Sequence, residues 1–158
     1  MAGAIGIYIW ANPTKTGCPT GTQYAFAGGQ RQNTTGGAVL WSTDTALTGA
    51  HIVTGQIGAY ILTHNTGFPI NDQYAWAGGL RQDTSNDRMV LLSSDTAYSG
   101  AHLVYGPIRE FMLKNPYTGF PTEDQHSVLG MFEQQKTSFG TLSYTTWPSV
   151  GPVSFQHK

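Results

Sequence analysis

"TGFPINDQYAWAGGLRQ" occupies residues 66–82, and residues 16–32 read "TGCPTGTQYAFAGGQRQ". Eleven of the seventeen positions agree, so the chain is read first as a repeat and only then as helices and strands. A second pair of blocks extends the period. "STDTALTGAHIVTGQI" at 42–57 matches "SSDTAYSGAHLVYGPI" at 93–108 in ten of sixteen positions. The register slips by one residue between these blocks, inside "NTTGGAVLW" against "DTSNDRMVLL", and a length change there marks a turn.

A third copy is present but worn. "TGFPTEDQ" at 118–125 repeats "TGFPINDQ" at 66–73, and "LGMFEQQ" at 129–135 stands where "AGGLRQD" stood. The opening "GAI" at 3–5 has the phase of "GQI" at 55–57 and "GPI" at 106–108. These phases divide the chain into copies at 1–54, 55–105 and 106–158, the third degenerate and terminal. The array is expected to be whole, because end copies, which lack a neighbour on one face, diverge from the consensus.

Within each copy the period changes from helix to strand. Ile108, Phe111 and Met112 recur at helical spacing after Pro107, as do Ile57, Tyr60, Ile61 and Ile5, Tyr8, Ile9. Short helices are therefore predicted at 3–11, 56–64 and 107–114. The alternating "QYAFAGG", "AVLWS" and "AHIVTG" and their second copies read as strands, and each Gly-Gly serves a hairpin or a bulge. The fold class is mainly β: three tandem units, each of short strands plus one short helix. Three copies of about fifty residues also suit a closed threefold β-trefoil. The helical phase favours discrete units.

Composition narrows the function. Charged residues are 11% of 158, about half the usual share, whereas glycine reaches 20 and Tyr, Phe and Trp number 8, 7 and 4. A net charge of −1 supplies no field for phosphate backbones, so nucleic acid is not an expected partner. No apolar run is long enough to span a bilayer, so membrane insertion is not expected either. "MAGAIGIYIW" lacks a basic segment and makes a poor signal peptide, which leaves the compartment open between cytoplasm and wall. Asn33 heads an N-x-Thr pattern that matters only on a secretory route. Cys18 has no partner for a disulfide and is expected to be a buried, structural thiol.

The recurring T-G-F-P turn, the Gly-Gly before a strand and G-A-H-x-V-x-G-x-I resemble the LGFP repeat, with Thr66 and Thr118 in place of its usual Leu. Cys18 replaces the Phe of the first turn, and the third copy lacks G-A-H. The resemblance implies compact β-rich units of cell-envelope proteins, often beside esterase or wall-hydrolase domains. It implies binders of wall polysaccharide or peptidoglycan rather than catalysts.

The polar residues admit a catalytic and a binding reading. His51 and His102 follow Asp44 and Asp95 by seven residues with Ser42 and Ser93 nearby, but no G-x-S-x-G elbow presents a nucleophile. A hydrolase is the weak reading. The two histidines are expected instead at the two seams between copies, hydrogen-bonded and part-buried, with ligand pockets beside them. The five histidines show no paired ligand spacing, so neither metal nor other cofactor is expected. Binding is the stronger reading. Tyr24 with Phe26, and Tyr74 with Trp76, would pack on the C–H face of a sugar. Arg31, Gln32, Arg81, Gln82, Asp44, Asp95, His51 and His102 would meet its hydroxyls or a carboxylate. In the third copy Glu133 is expected at the Arg position and Val128 at the aromatic one, leaving two intact sites. The expected function is non-enzymatic, multivalent and lectin-like, with glycans or wall polysaccharide as partner and self-association compatible with the repeats. A ligand-free stalk is the rival.

Overall fold

The computed structural model describes residues 3–158. Four helices, α1 (Ala4–Ala11), α2 (Pro13–Thr16), α3 (Gly55–Thr63) and α4 (Gly106–Lys114), punctuate twelve strands. The strands are β1 (Tyr24–Phe26), β2 (Gly29–Thr34), β3 (Gly37–Ser42), β4 (Ala50–Val53), β5 (Tyr74–Trp76), β6 (Gly79–Thr84), β7 (Arg88–Ser93), β8 (Ala101–Tyr105), β9 (His126–Val128), β10 (Phe132–Lys136), β11 (Gly140–Thr145) and β12 (Ser154–His157). They form three four-stranded sheets with neighbours in the orders β1-β2-β3-β4, β5-β6-β7-β8 and β9-β10-β11-β12. None of the described sheets closes on itself, which excludes the trefoil. Three of the helices fall within a residue of the segments that the Ile-x-x-aromatic spacing predicts.

By contacts the chain divides into two compact units, Met1–Tyr74 with Gln82–Asn86, and Ala75–Arg81 with Asp87–Lys158. In the first unit α1 and α3 cover opposite faces of one sheet. Side chains alternate along a strand. Val39, Ala50 and Ile52 therefore meet Ile5 and Ile9 of α1 on one face. On the other, Ala38, Leu40 and Val53 point toward α3, whose Gly58 has no side chain to hold it off the Val53 backbone. In the second unit α4 packs Ile108 and Met112 between Met89, Leu91 and Val104 on one side and Leu142 and Tyr144 of β11 on the other. Each of these side chains is almost fully buried, worth roughly 1.5–3 kcal/mol apiece for the larger ones.

The Gly-Gly pair has a different job at each position. In β1–β2 the hairpin loop is Ala27-Gly28, both at positive φ, the pattern of a type I′ turn that suits the twist of the strands. The next glycine makes room: a Cβ on Gly29 would lie 2.6 Å from the Phe68 ring, and one on Gly79 would lie 2.5 Å from the Phe120 ring. The Phe of each T-G-F-P turn is thus seated on a glycine of the preceding copy. The threonines that replace the usual Leu are buried with their hydroxyls bonded, Thr66 to the Gly67 carbonyl at 3.1 Å and Thr118 to the Asn115 carbonyl at 3.0 Å.

Two expectations are corrected. Cys18 is exposed, not buried. Phe68 and Phe120 are held by a glycine of a preceding copy, whereas the described residues hold no copy before Cys18. In the third copy the hairpin loop is three residues, Leu129, Gly130 and Met131, because Val128 pairs with Phe132. Gln134, opposite His126, therefore takes the place of Arg31, which stands opposite Tyr24. Glu133 points to the other face, where it accepts the Tyr105 hydroxyl at 3.2 Å.

Two outcomes follow from this packing. Gly79→Ala should lower stability by about 1–3 kcal/mol through overpacking against Phe120, read as a lower urea midpoint with an unchanged slope. Cys18 should react with a thiol reagent in the native protein nearly as fast as in the unfolded chain, measured by stopped-flow absorbance.

Candidate ligand-binding site

The two G-A-H segments lie on β4 and β8, each the last strand of its sheet. A last strand presents unpaired N–H and C=O groups, which must be covered or solvated. An aspartate of the following copy covers them. Asp72 Oδ1 accepts the Ile52 N–H at 3.3 Å and lies 3.4 Å from His51 Nδ1. Asp124 Oδ1 accepts the Leu103 N–H at 3.2 Å and lies 3.1 Å from His102 Nδ1. The glutamine amides extend the cover: Gln82 Nε2 donates to the Ile52 carbonyl at 2.9 Å, and Gln125 Oε1 accepts the Tyr105 N–H at 3.2 Å.

The first of these seams is the richer. Asp72 Oδ2 also accepts the Tyr8 hydroxyl at 2.5 Å and Lys15 Nζ at 2.9 Å. Burial alone would raise the Asp72 pKa. The hydrogen bonds from Tyr8 and Lys15, the Lys15 charge and the Ile52 N–H outweigh it and hold the carboxyl below its ordinary value. The Tyr8 hydroxyl moves upward, first by burial and then by Asp72. A carboxylate only accepts, so each histidine directs an Nδ1 proton at it. Its Nε2 is buried and has no partner among the described residues. A general base would need a nucleophile there. Ser42 and Ser93 instead accept the N–H groups of Asp44 and Asp95 at 3.1 and 3.0 Å. Each aspartate then bonds the N–H two residues on, Ala46 or Ala97, at 2.9 Å. Sequence neighbours that suggested a triad are split between a turn and a seam.

The aromatic and arginine residues form a separate cluster. Tyr24, Arg31, Leu40 and His51 stand directly across from one another in successive strands, on one face of the first sheet. The Arg31 guanidinium lies 5.7 Å from the Tyr24 ring and 5.4 Å from the Phe26 ring, and its Nε donates to Asn33 Oδ1 at 2.8 Å. Tyr24 is 41% exposed. Arg31 lines a cleft of about 300 Å³ with Val53, Gly58 and Leu62. Phe26 lines another of about 290 Å³ with Leu40, Ile61, His64 and Phe68. In the second copy the Arg81 guanidinium lies 6.0 Å from the Trp76 ring, and Trp76 lines a cleft of about 520 Å³ with Ala77, Gly79 and Leu92. Tyr74 gives its hydroxyl to Asp83 at 2.9 Å.

The remaining predicted residues are placed elsewhere. Gln32 and Gln82 are buried with their amides on backbone carbonyls, Gly21 at 3.1 Å and Asn71 at 2.9 Å among them. Asp44 and Asp95 are exposed turn formers. Sequence reasoning missed Asp72, Asp124, Tyr8, Lys15 and His64. His64 stacks flat on Tyr60, with centroids 3.9 Å apart at 2°, beside the Phe26 cleft.

Residues 17–60 match the family model of the LGFP repeat. Over that stretch the chain is similar to the LGFP repeat. The match spans the first copy from its T-G-x-P turn, through β1–β4, into the helix that covers them. LGFP repeats are repeat modules not known as catalytic, a setting compatible with a seam histidine that structures rather than reacts. No curated protein matches the chain.

The seam has a pH signature. Because the Asp72 pKa is lowered on folding, its contribution is complete above the ordinary value near 3.8 and is lost as pH falls through the folded value. Asp72→Ala should cost about 1–3 kcal/mol at neutral pH, and the gap to the parent should close as pH falls below the ordinary carboxyl value of 3.8 and through the lower folded one, followed by urea unfolding at stepped pH. His102→Ala should cost a similar amount, about 1–3 kcal/mol, by leaving Asp124 without its ring partner.

Proposed function

We propose that the protein is a non-enzymatic carbohydrate-binding module that holds polymeric glycan, wall polysaccharide or peptidoglycan, through repeated weak sites. The observation that carries this reading is the arginine held against an aromatic face in two successive LGFP copies, Arg31 on Tyr24 and Phe26 and Arg81 on Trp76, each beside a cleft. An ordered aromatic offers a flat apolar face to sugar C–H groups at low entropic cost. The stacked guanidinium keeps a planar donor fork for a hydroxyl pair or a carboxylate. Asn33 fixes Arg31 by its Nε, and no partner for its two terminal amino groups stands among the described residues. His51 and His102 belong to the seams at the other edge of each sheet, and Gln32 and Gln82, bonded to backbone carbonyls, hold the strand beneath. Two weak sites on one chain gain on a polymer by effective concentration, about 10²–10⁴-fold where both engage.

The test is co-sedimentation with insoluble peptidoglycan and neutral polysaccharides, with and without competing monosaccharide. Arg81→Ala should weaken binding about tenfold while the variant still unfolds cooperatively, read by a melting curve taken beside the binding assay. Arg31→Ala combined with Arg81→Ala should remove most of the binding. Full retention of binding in the double variant would refute these sites, and absence of binding to every polymer would favour a stalk.

A further inference from the structure

The outward face of the third sheet differs from the same face of the first in a patterned way. Register places Phe132 where the first sheet has Gly29, Thr141 at Ala38, Ser143 at Leu40, Ser154 at His51 and Gln156 at Val53. The apolar floor that receives α3 in the first sheet has become hydroxyls and amides. Gln134 and Thr145 complete it, and all are part or fully exposed. Ser143 and Ser154 hydroxyls lie 3.1 Å apart across β11 and β12. Among the described residues no strand position of this face carries a carboxylate. Its one fixed cation, Lys136, is paired with Glu123 at 3.2 Å, and His126 lies 3.5 Å from the same carboxylate.

Solubility explains the polar floor but not its rim. A sheet face that had only to meet water would gain nothing from an aromatic in place of glycine. Yet Phe132 is 36% exposed, and the adjoining hairpin tip adds Leu129 at 81% and Met131 at 40%. An exposed ring beside a neutral array of donors and acceptors is the pairing that sugars require, apolar C–H face against ring and hydroxyls against amides. Phe132 also removes the space in which the Phe of a further T-G-F-P turn would seat, so this face is not built to receive another copy.

We propose that the free face of β9–β12 is a third glycan site, of a different kind from the arginine sites: a platform for a neutral, hydroxyl-rich polysaccharide. Its charge balance selects the ligand class, because a face without a free ion pair offers nothing to an anionic polymer that it does not offer to a neutral one. The platform rests on the carbohydrate-binding reading but not on Arg31 or Arg81.

The experiment uses the full chain and insoluble chitin, cellulose and β-1,3-glucan, with peptidoglycan as the charged comparison. Phe132→Gly restores the residue of the other copies and should reduce binding to a neutral polymer at least fivefold, with binding unchanged on raising salt. The Ser143→Ala, Gln156→Ala pair, which removes exposed polar groups only, should reduce it as well and covers the case in which Phe132→Gly fails to fold. Retention of binding within twofold by the folded variants overturns the platform. Loss in Arg31→Ala, Arg81→Ala with no loss in the platform variants overturns it while leaving the arginine sites standing. Binding to peptidoglycan but to none of the neutral polymers overturns it too, and binding to no polymer overturns both.

Discussion

A four-stranded sheet of short strands leaves two apolar faces and two open edges, and one eight- or nine-residue helix covers only one face. Everything else in this protein follows from that deficit. In the first unit the sheet takes α1 from its own copy and α3 from the next, so neither element is complete alone. In the second unit α4 serves two sheets at once. The helices are too short to be stable in isolation, and their order comes from burial against sheet rather than from propensity. Cohesion is therefore a property of successive copies.

Edges are closed by the same logic with different chemistry. A backbone N–H at the end of a sheet needs an acceptor, and a carboxylate held by further donors is a strong one. Asp72 and Asp124 supply it, and the histidine beside each gives a second donor that fixes the carboxylate in place. That is why the histidine heptapeptide appears twice among three copies. The first copy has Thr22 where the others have Asp72 and Asp124, and the third has Ser154 where the others have His51 and His102. Each pair takes its histidine from one copy and its aspartate from the next.

This pairing was legible in the sequence, as two His and two Asp offset by one copy, but only after each copy is aligned with its successor rather than with itself. The helices, the strands and the hairpin Gly-Gly could be read directly because period and turn chemistry are local. What local reading could not reach was register. One extra residue at Met131 turns Glu133 inward and brings Gln134 to the arginine position, and no composition signal distinguishes the two outcomes. Cys18 failed for a related reason: whether a turn residue is buried depends on a glycine some fifty residues away in another copy. The arginine–aromatic cluster was found because its residues share one face at alternate positions. His64 was missed because it belongs to the end of a helix, where no strand pattern points to it.

The residues proposed to bind and the residues that hold the copies together occupy different parts of each copy. The groups that hold the copies together, the seated Phe, the buried Gln and the seam His–Asp pair, lie in the T-G-F-P turn, the middle of β2 or β6 and the last strand. The arginine and aromatic residues lie on the first hairpin, at the opposite edge of the sheet from the seam. That separation lets the hairpin vary without loss of cohesion, and the third copy shows the result. It keeps the turn Phe and the aspartate, both facing the copy before it, and the buried Gln135, while its hairpin has exchanged arginine and tyrosine for Gln134 and His126. Cohesion constrains one edge of each sheet and leaves the residues at the other free to differ between copies.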